Sequence, residues 1–393
     1  MLTGTLFFAA SLLALGGSAR SPPSYQQTCN VPSKYASSNG TADDTPAISA
    51  AFARCGHGGT VTLAEGVDYN VLTPVNASGL NDVTIQMYGN LNLPKNITYV
   101  QELFNTTLKR TGGTNLYWFT FTGSNIRYEG TSNVSTGWIN SYGQAWWDAN
   151  KYPGTGIDGR PHLMSFNAKT GSMKHFKSRK PIAWNVQLPG SNIDVSNTVI
   201  DAYSTTGSFP FNTDGFDVSG QNIRITNSVI YNGDDAIAVG NGAHNVLFQG
   251  GTIGYQTHGM SIGSLGQNQG QFANVSNVVF DDITVVNGVY GARFKSWVGG
   301  QGLAKNITWS NIRVYNVTFP IFVTQTYINQ GSTQTQSTVG SSGAVSGRPN
   351  NSTVNMQDLT WANFTGTINT FMPGDGSCVT NVSLVPALLD IYH

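Results

Sequence analysis

Charge is scarce in this chain: Asp, Glu, Lys and Arg make up 10% of its 393 residues, and 20 basic side chains are matched by 20 acidic ones. A dilute, balanced charge gives no overall field to attract nucleic acid or an anionic membrane, so both are excluded as partners and any charge that matters acts locally. Cysteine numbers three. No Cys/His zinc spacing, phosphate-binding glycine loop or dinucleotide fingerprint is present, and neither metal nor cofactor is expected. Long apolar runs are also missing. The run from Leu6 to Leu15 is about half the ~20 residues that a membrane span requires. With a short leading segment, though one without Lys or Arg, and the small Gly17 and Ala19 behind it, residues 1–19 read as a signal peptide cleaved near Ala19. Residues 20–393 are then expected to form one domain of a secreted, extracellular protein.

What fills the chain instead is Gly, Ser, Thr and Asn, including twelve Asn-x-Ser/Thr sequons such as Asn39, Asn76, Asn96, Asn105 and Asn133, acceptor sites for glycans in a secreted eukaryotic protein. Its length exceeds what one ordinary globular core holds, whereas a solenoid core grows along one axis as coils are added. A repeat is visible. Alternations of apolar and polar residues begin at Asn192, Asn222, Asn245, Asn277 and Asn306, each broken by a polar turn and followed by another alternation. Spacings of 23 to 32 residues fit coils of about three short strands with loops of varying length. An antiparallel sandwich gives no reason for the recurring Asn. That residue is expected to bond local backbone or stack on its counterpart in the next coil.

Four polar clusters punctuate this pattern: Asn212-Thr213-Asp214-Gly215, Gly233-Asp234-Asp235, His258-Gly259 and Arg293-Phe294-Lys295. Asp214 to Asp234 is 20 residues and Asp235 to His258 is 23, about one coil each; the 35 from His258 to Arg293 allow a coil with an inserted loop. Parallel coils lie ~4.8 Å apart, so residues one coil apart become neighbours. The spacing therefore gathers three carboxylates, an imidazole, a guanidinium and an ammonium onto one face.

Together, in this order, the clusters resemble the NTDG, GDD, GHG-like and RIK signatures of glycoside hydrolase family 28, here Asn212-Thr-Asp-Gly, Gly233-Asp-Asp, Thr257-His-Gly and Arg293-Phe-Lys, with general similarity from about Asp43 to about Cys378. The resemblance implies an all-β, right-handed parallel β-helix of the pectin-lyase-like kind with a short N-terminal capping helix. It also implies hydrolysis of α-1,4-galacturonosidic bonds with inversion. Polygalacturonate or pectin oligosaccharide would be the partner of a monomeric enzyme. By the same resemblance Asp234 is the general acid, Asp214 and Asp235 position and deprotonate the water, His258 holds the acid, and Arg293 and Lys295 bind the sugar carboxylate. Tyr327, about one coil further on, would stack or bond at the same subsite. Ser261-Ile-Gly-Ser-Leu-Gly266 and Ala292-Arg-Phe-Lys-Ser-Trp297 look more like the exo-polygalacturonase branch.

The chemistry is consistent with those roles. Glycoside hydrolysis needs one carboxylic acid and one carboxylate. Crowded carboxylates cannot all ionise cheaply, so at least one keeps its proton, and the titration belongs to the cluster. An endo-polygalacturonase or a rhamnogalacturonan or xylogalacturonan hydrolase would share these residues. A calcium-dependent pectate lyase or a catalytically silent carbohydrate-binding solenoid would share the fold. A Ser-His-Asp hydrolase built on Ser261 and His258 lacks a nucleophile elbow.

The ends and loops complete the reading. Asp43–Cys55 is the one segment with helical character, with Ile48, Ala51 and Phe52 on one side and Thr45 as a cap ahead of Pro46. It resembles the helix that closes these solenoids, and Cys29 and Cys55 flank it as a disulfide pair. Cys378 is left over in a tail that departs from the family pattern, and Ala236 and Tyr255–Thr257 stand where the family commonly has cysteines. Bulky material is expected to wall one end of the groove and favour exo attack: Asn140–His162 with Trp146, Trp147 and Arg160, the Lys174–Lys180 basic cluster, and the loop at 331–352.

Overall fold

The computed structural model describes residues 27–111, 115–150, 156–268, 270–327 and 352–369. The proposed signal peptide, most of the 331–352 loop, Cys378 and the tail lie outside the described residues.

The alternating segments become parallel strands that stack coil upon coil into three sheets. One sheet starts at Thr28–Asn30 and Thr60–Leu63 and continues through the first halves of Gln221–Asn232, His244–Tyr255, Phe272–Val286, Gln301–Val317 and Thr353–Ile368. The second halves of those long strands form another sheet with Lys177–Arg179 and Val199–Asp201. The third carries His162–Ala168, Val186–Leu188, Phe216–Val218, Asp235–Val239, Gly259–Leu265, Tyr290–Trp297 and Phe319–Tyr327.

Every second residue of a strand points inward. Val195, Ile225, Phe248, Phe280, Trp309 and Trp361 therefore fall in one register column. Trp309 lies between Phe280 and Trp361, with ring centroids 5.3 and 5.4 Å away. Each fully buried aliphatic or aromatic side chain of this kind contributes about 1.5–3 kcal/mol.

The recurring Asn explains how each coil enters its strand. Asn192, Asn222, Asn245, Asn277 and Asn306 all have φ between 54° and 56°, left-handed backbone that Asn tolerates better than other residues with a Cβ. From Asn222 onward, Nδ2 donates to Oδ1 of the Asn one coil earlier, at 2.9, 2.9, 3.0 and 2.9 Å, while Asn192 at the start of the row donates to the Lys169 carbonyl. The expectation of stacked counterparts holds.

At the N-terminal end, helix Thr45–Cys55 buries Ile48, Ala51 and Phe52 over the first coils, and Cys29 bonds Cys55. Thr45 is not its cap but its first residue. Asp43 Oδ1 accepts from both the N–H and the hydroxyl of Thr45, and Asp44 is the flanking residue. Nor is this the only helix: Ile97–Thr111 and Gln144–Ala149 are helical as well. Asn96 Oδ1 accepts the Tyr99 N–H at the start of the first of these, and Ile97, Val100 and Leu103 turn toward the core. Its many Thr residues obscure that short apolar stripe, and six residues are too few for the other helix to show a period.

The suggested groove walls also resolve differently. Trp146 and Trp147 are core residues. Lys177 Nζ donates to the carbonyl oxygens of Asn133 and Thr136, and Lys180 Nζ to that of Tyr203, so these ammonium groups are committed to backbone.

Because the Asn ladder supplies both backbone conformation and hydrogen bonds, two substitutions at Asn245 separate its contributions. Asn245→Gly keeps the left-handed backbone accessible and loses two side-chain bonds, whereas Asn245→Ala loses both. Thermal unfolding should show Ala the more destabilising, by about 1–2 kcal/mol relative to wild type; equal stability of all three would remove the ladder from the account.

Candidate active site

Strand pairing in the third sheet does what the spacing requires. Phe216 pairs with Ile237, which sets Asp214 against Asp235, and the Gly215 N–H donates to the Asp235 carbonyl at 2.9 Å. Asp235 pairs with Gly259, and Ser261 with Arg293. Arg293 and Lys295 are two apart on one strand, so both face outward while Ala292 and Phe294 enter the core. Gly259 sits at φ 75°, where an added Cβ would come within 2.1 Å of the Gly291 carbonyl oxygen in the next coil. Glycine is required there.

The turn bearing the aspartates is tied down by amides and hydroxyls. Asn232 Nδ2 donates to the carbonyls of Thr213, Asp234 and Asp235. Thr213 Oγ1 accepts the Gly233 N–H, and Thr257 Oγ1 donates to the Asp234 carbonyl.

Asp235 lies at the bottom of the cluster, its side chain 1% exposed. Lys295 Nζ is 2.6 Å from Oδ2, Ser261 Oγ donates to Oδ1 at 2.5 Å, and Arg293 approaches Oδ1 at 3.5 Å. Asp234 stands nearer the surface, 14% exposed. Its Oδ1 meets His258 Nδ1 at 3.0 Å and accepts the Asp235 N–H, while Oδ2 accepts from Asn212 Nδ2 at 3.2 Å. Asp214 is buried, and its Oδ1 has no hydrogen-bond partner among the described residues.

Three contributors escape the sequence motifs. Asp217 lies on Phe216–Val218, the strand that follows Asp214, and is legible only as a polar side chain between apolar Phe216 and Val218. Ser261 holds Asp235 as a donor, not a nucleophile. Tyr290 meets His258 edge-on with centroids 5.5 Å apart and lies under the Arg293 guanidinium, 4.4 Å from ring centroid to Cζ. Tyr327 does join the cluster, its centroid 5.9 Å from Arg293 Cζ and 5.5 Å from Lys295 Nζ.

Proton occupancy follows from burial and charge. Burial, then the charges of Asp234, Asp217 and Asp235, holds the Asp214 carboxyl well above the usual range against the pull of Lys295. Burial, then Asp235 and Asp234, pushes Asp217 up to about 7. Burial also penalises the Asp234 charge, but the charge and hydrogen bond of His258, with Lys295 and Arg293, outweigh it and keep that carboxylate ionised. Crowding thus retains protons at Asp214 and Asp217 rather than at the residue expected to act as acid.

Ligand atoms of Asp234, Asp235 and His258 lie within 4.8 Å of one another, near enough to share a divalent ion. Yet Asp235 already faces Lys295, Ser261 and Arg293, and a cation there would have to displace the Lys295 ammonium. The donor set fits a metal poorly, which weighs against the calcium-lyase alternative.

A carboxyl whose folded pKa is raised makes the folded state bind more protons than the unfolded one, so its contribution falls as pH rises from the unfolded value toward the folded one. Between pH 4 and about 7, Asp217→Asn should therefore flatten the decline in melting temperature relative to wild type. Parallel melting curves for the two proteins over that window would contradict the assignment.

The glycosyl hydrolases family 28 model matches residues 67–382. Probable exopolygalacturonase C of Aspergillus niger is 56% identical over 376 residues, covering 96% of this chain and 81% of that relative. The protein of the same name from Aspergillus flavus is 51% identical over 387 residues, covering 97% and 83%. Among solved structures, endo-xylogalacturonan hydrolase from Aspergillus tubingensis superposes with a TM-score of 0.70 at 22% identity, over 88% of this chain and 86% of that one. That likeness is one of fold, the right-handed parallel β-helix.

Proposed function

The chain belongs to glycosyl hydrolases family 28, and on that premise we propose that it is an exo-polygalacturonase, removing galacturonic acid from the non-reducing end of polygalacturonate with inversion at the anomeric carbon. The observation that carries the reading is the arrangement of Asp214, Asp234 and Asp235 around Arg293 and Lys295 on one outward face. Exo rather than endo action is supported by the names of relatives above half identity. An extracellular location is supported by the Cys29–Cys55 bond, which suits an oxidising compartment, and by the leader-like residues 1–19. No described helix is long and apolar enough to cross a membrane.

In this mechanism the sugar carboxylate docks on Arg293 and Lys295 as a charge-assisted contact. That anion offsets the two cations that help to keep Asp234 ionised, so its proton affinity rises while the retained protons lie close by on Asp214 and Asp217. Asp234 gains a proton, Asp214 is left as carboxylate, and the acid and base are thereby assigned. Asp234, the most exposed of the trio, gives its proton to the glycosidic oxygen as the bond to the anomeric carbon breaks. Water enters from the opposite face and loses a proton to Asp214, with Asp235 fixing its position. His258, braced by Tyr290, holds Asp234 in place, and Tyr327 borders the carboxylate subsite.

Incubation with polygalacturonate should release monomer from the outset while viscosity falls slowly, and early-time NMR should show the β-anomer from the α-linked chain. Asp234→Asn should remain folded and lose at least ~10²-fold in kcat. A ladder of oligomers with rapid thinning would mean endo attack; unsaturated products would mean a lyase.

A further inference from the structure

Outside the recognised motifs, one cation is built into the edge of the site. Arg160 arrives on the loop ahead of His162–Ala168, and each of its three guanidinium nitrogens donates a hydrogen bond: Nε to the Ile157 carbonyl at 3.0 Å, Nη1 to the Phe211 carbonyl at 3.0 Å, and Nη2 to Asn212 Oδ1 at 2.9 Å. Its Cζ lies 5.2 Å from the Trp184 ring centroid and 5.3 Å from that of Phe211. Trp184 in turn stacks on His162 with centroids 4.3 Å apart, and His162 meets Tyr117 at 5.0 Å. His162 stays neutral, its pKa pushed down to about 4 by burial and by Arg160. Packing on a column of rings and three hydrogen bonds fix the guanidinium plane.

The consequence passes through Asn212. An amide can present either its oxygen or its NH₂ to a neighbour, but a guanidinium offers donors only. With Arg160 opposite, Asn212 must turn Oδ1 toward it and Nδ2 toward Asp234. Nδ2 is the side-chain donor to Asp234 Oδ2, whereas Oδ1 of that carboxylate takes both the Asp235 N–H and His258. A reversed amide would set oxygen against carboxylate and push Asp234 out of place. We propose that Arg160 is a positioning residue of the hydrolytic reaction: through the Asn212 amide it orients the Asp234 carboxyl.

The proposal rests on the hydrolase reading. Asp234 is also faced by Asp214, Asp217, Asp235, His258, Arg293 and Lys295, while Arg160 itself faces Asp214, Asp158 and Asp234. All of these remain when Arg160 is replaced, so a change in pH profile reports Arg160.

The test is a double-mutant cycle in kcat on trigalacturonate with Arg160→Met, Asn212→Ala and the pair, plus Arg160→Lys as the variant that keeps the charge but not the planar fork. Melting curves check that each is folded. Arg160→Met should lower kcat by ~10²-fold, the size expected when a reacting group is misplaced. It should also move the limb reporting loss of the acid's proton to higher pH, because removing a nearby cation favours the protonated form. Arg160→Lys should lower kcat and leave that limb nearly in place. Once Asn212 is Ala, the further loss on replacing Arg160 should be several-fold smaller than in wild type. Additive losses, or Arg160→Met within about twofold of wild-type kcat with an unmoved limb, would overturn the positioning role alone. A wild-type protein inert on trigalacturonate and polygalacturonate would overturn the hydrolase reading and the proposal with it.

Discussion

The contact on which the site depends is the ion pair between Lys295 Nζ and Asp235 Oδ2, 2.6 Å apart and withdrawn from water. Removing one partner of such a pair typically costs about 3–5 kcal/mol, because the other is left buried and uncompensated. Here the pair also anchors a larger balance. Asp214, Asp217, Asp234 and Asp235 are crowded around Arg293, Lys295 and His258, and the positive charge is too small to let every carboxylate ionise. Protons are therefore held inside the cluster, and an arriving anion that engages the cations redistributes them. In the proposed mechanism, binding a sugar acid and arming the proton donor become one event.

That balance requires the groups to stay within a few ångströms while repelling one another, and the solenoid supplies the restraint. Adjacent coils place Asp235, Ser261 and Arg293 on neighbouring strands, with Asp214 just ahead of the strand before them, and the backbone ladders hold them whatever their charges prefer. On another sheet the Asn ladder fixes where each coil turns, and stacked Phe280, Trp309 and Trp361 fill its interior. Electrostatic strain at the site is borne by hydrogen bonding and packing spread along the whole axis.

Much of this was legible in the linear chain, for a physical reason. A repeat of about one coil converts sequence separation into spatial adjacency, so the recurring Asn, the aspartates, His258, Arg293 and Lys295 could be grouped by counting. Residues that act from outside the repeat could not. Arg160 reaches Asn212 across 52 positions from an irregular loop, and no spacing rule announces it. Asp217 and Tyr290 look like ordinary strand residues until their neighbours are known. The Trp146-Trp147 pair was ambiguous, because aromatic rings beside turn residues suit a sugar groove and core packing equally, and burial in the core decides for packing. Helix Ile97–Thr111 escaped notice because its apolar stripe is narrow and its cap, Asn96, also reads as a sequon.

The central claim is that Arg293 and Lys295 read a carboxylate on the sugar at the point of cleavage. It is tested most directly by the ratio of kcat/KM for an oligogalacturonide with a free acid at that residue to the same chain methyl-esterified there, in wild type and in Arg293→Gln. A charge-assisted hydrogen bond contributes about 1.5–3 kcal/mol, so wild type should prefer the acid by at least ~10-fold, and the substitution should erase most of that preference by slowing hydrolysis of the acid far more than that of the ester. Equal losses on both substrates would show that Arg293 only supports the fold, and would contradict the account.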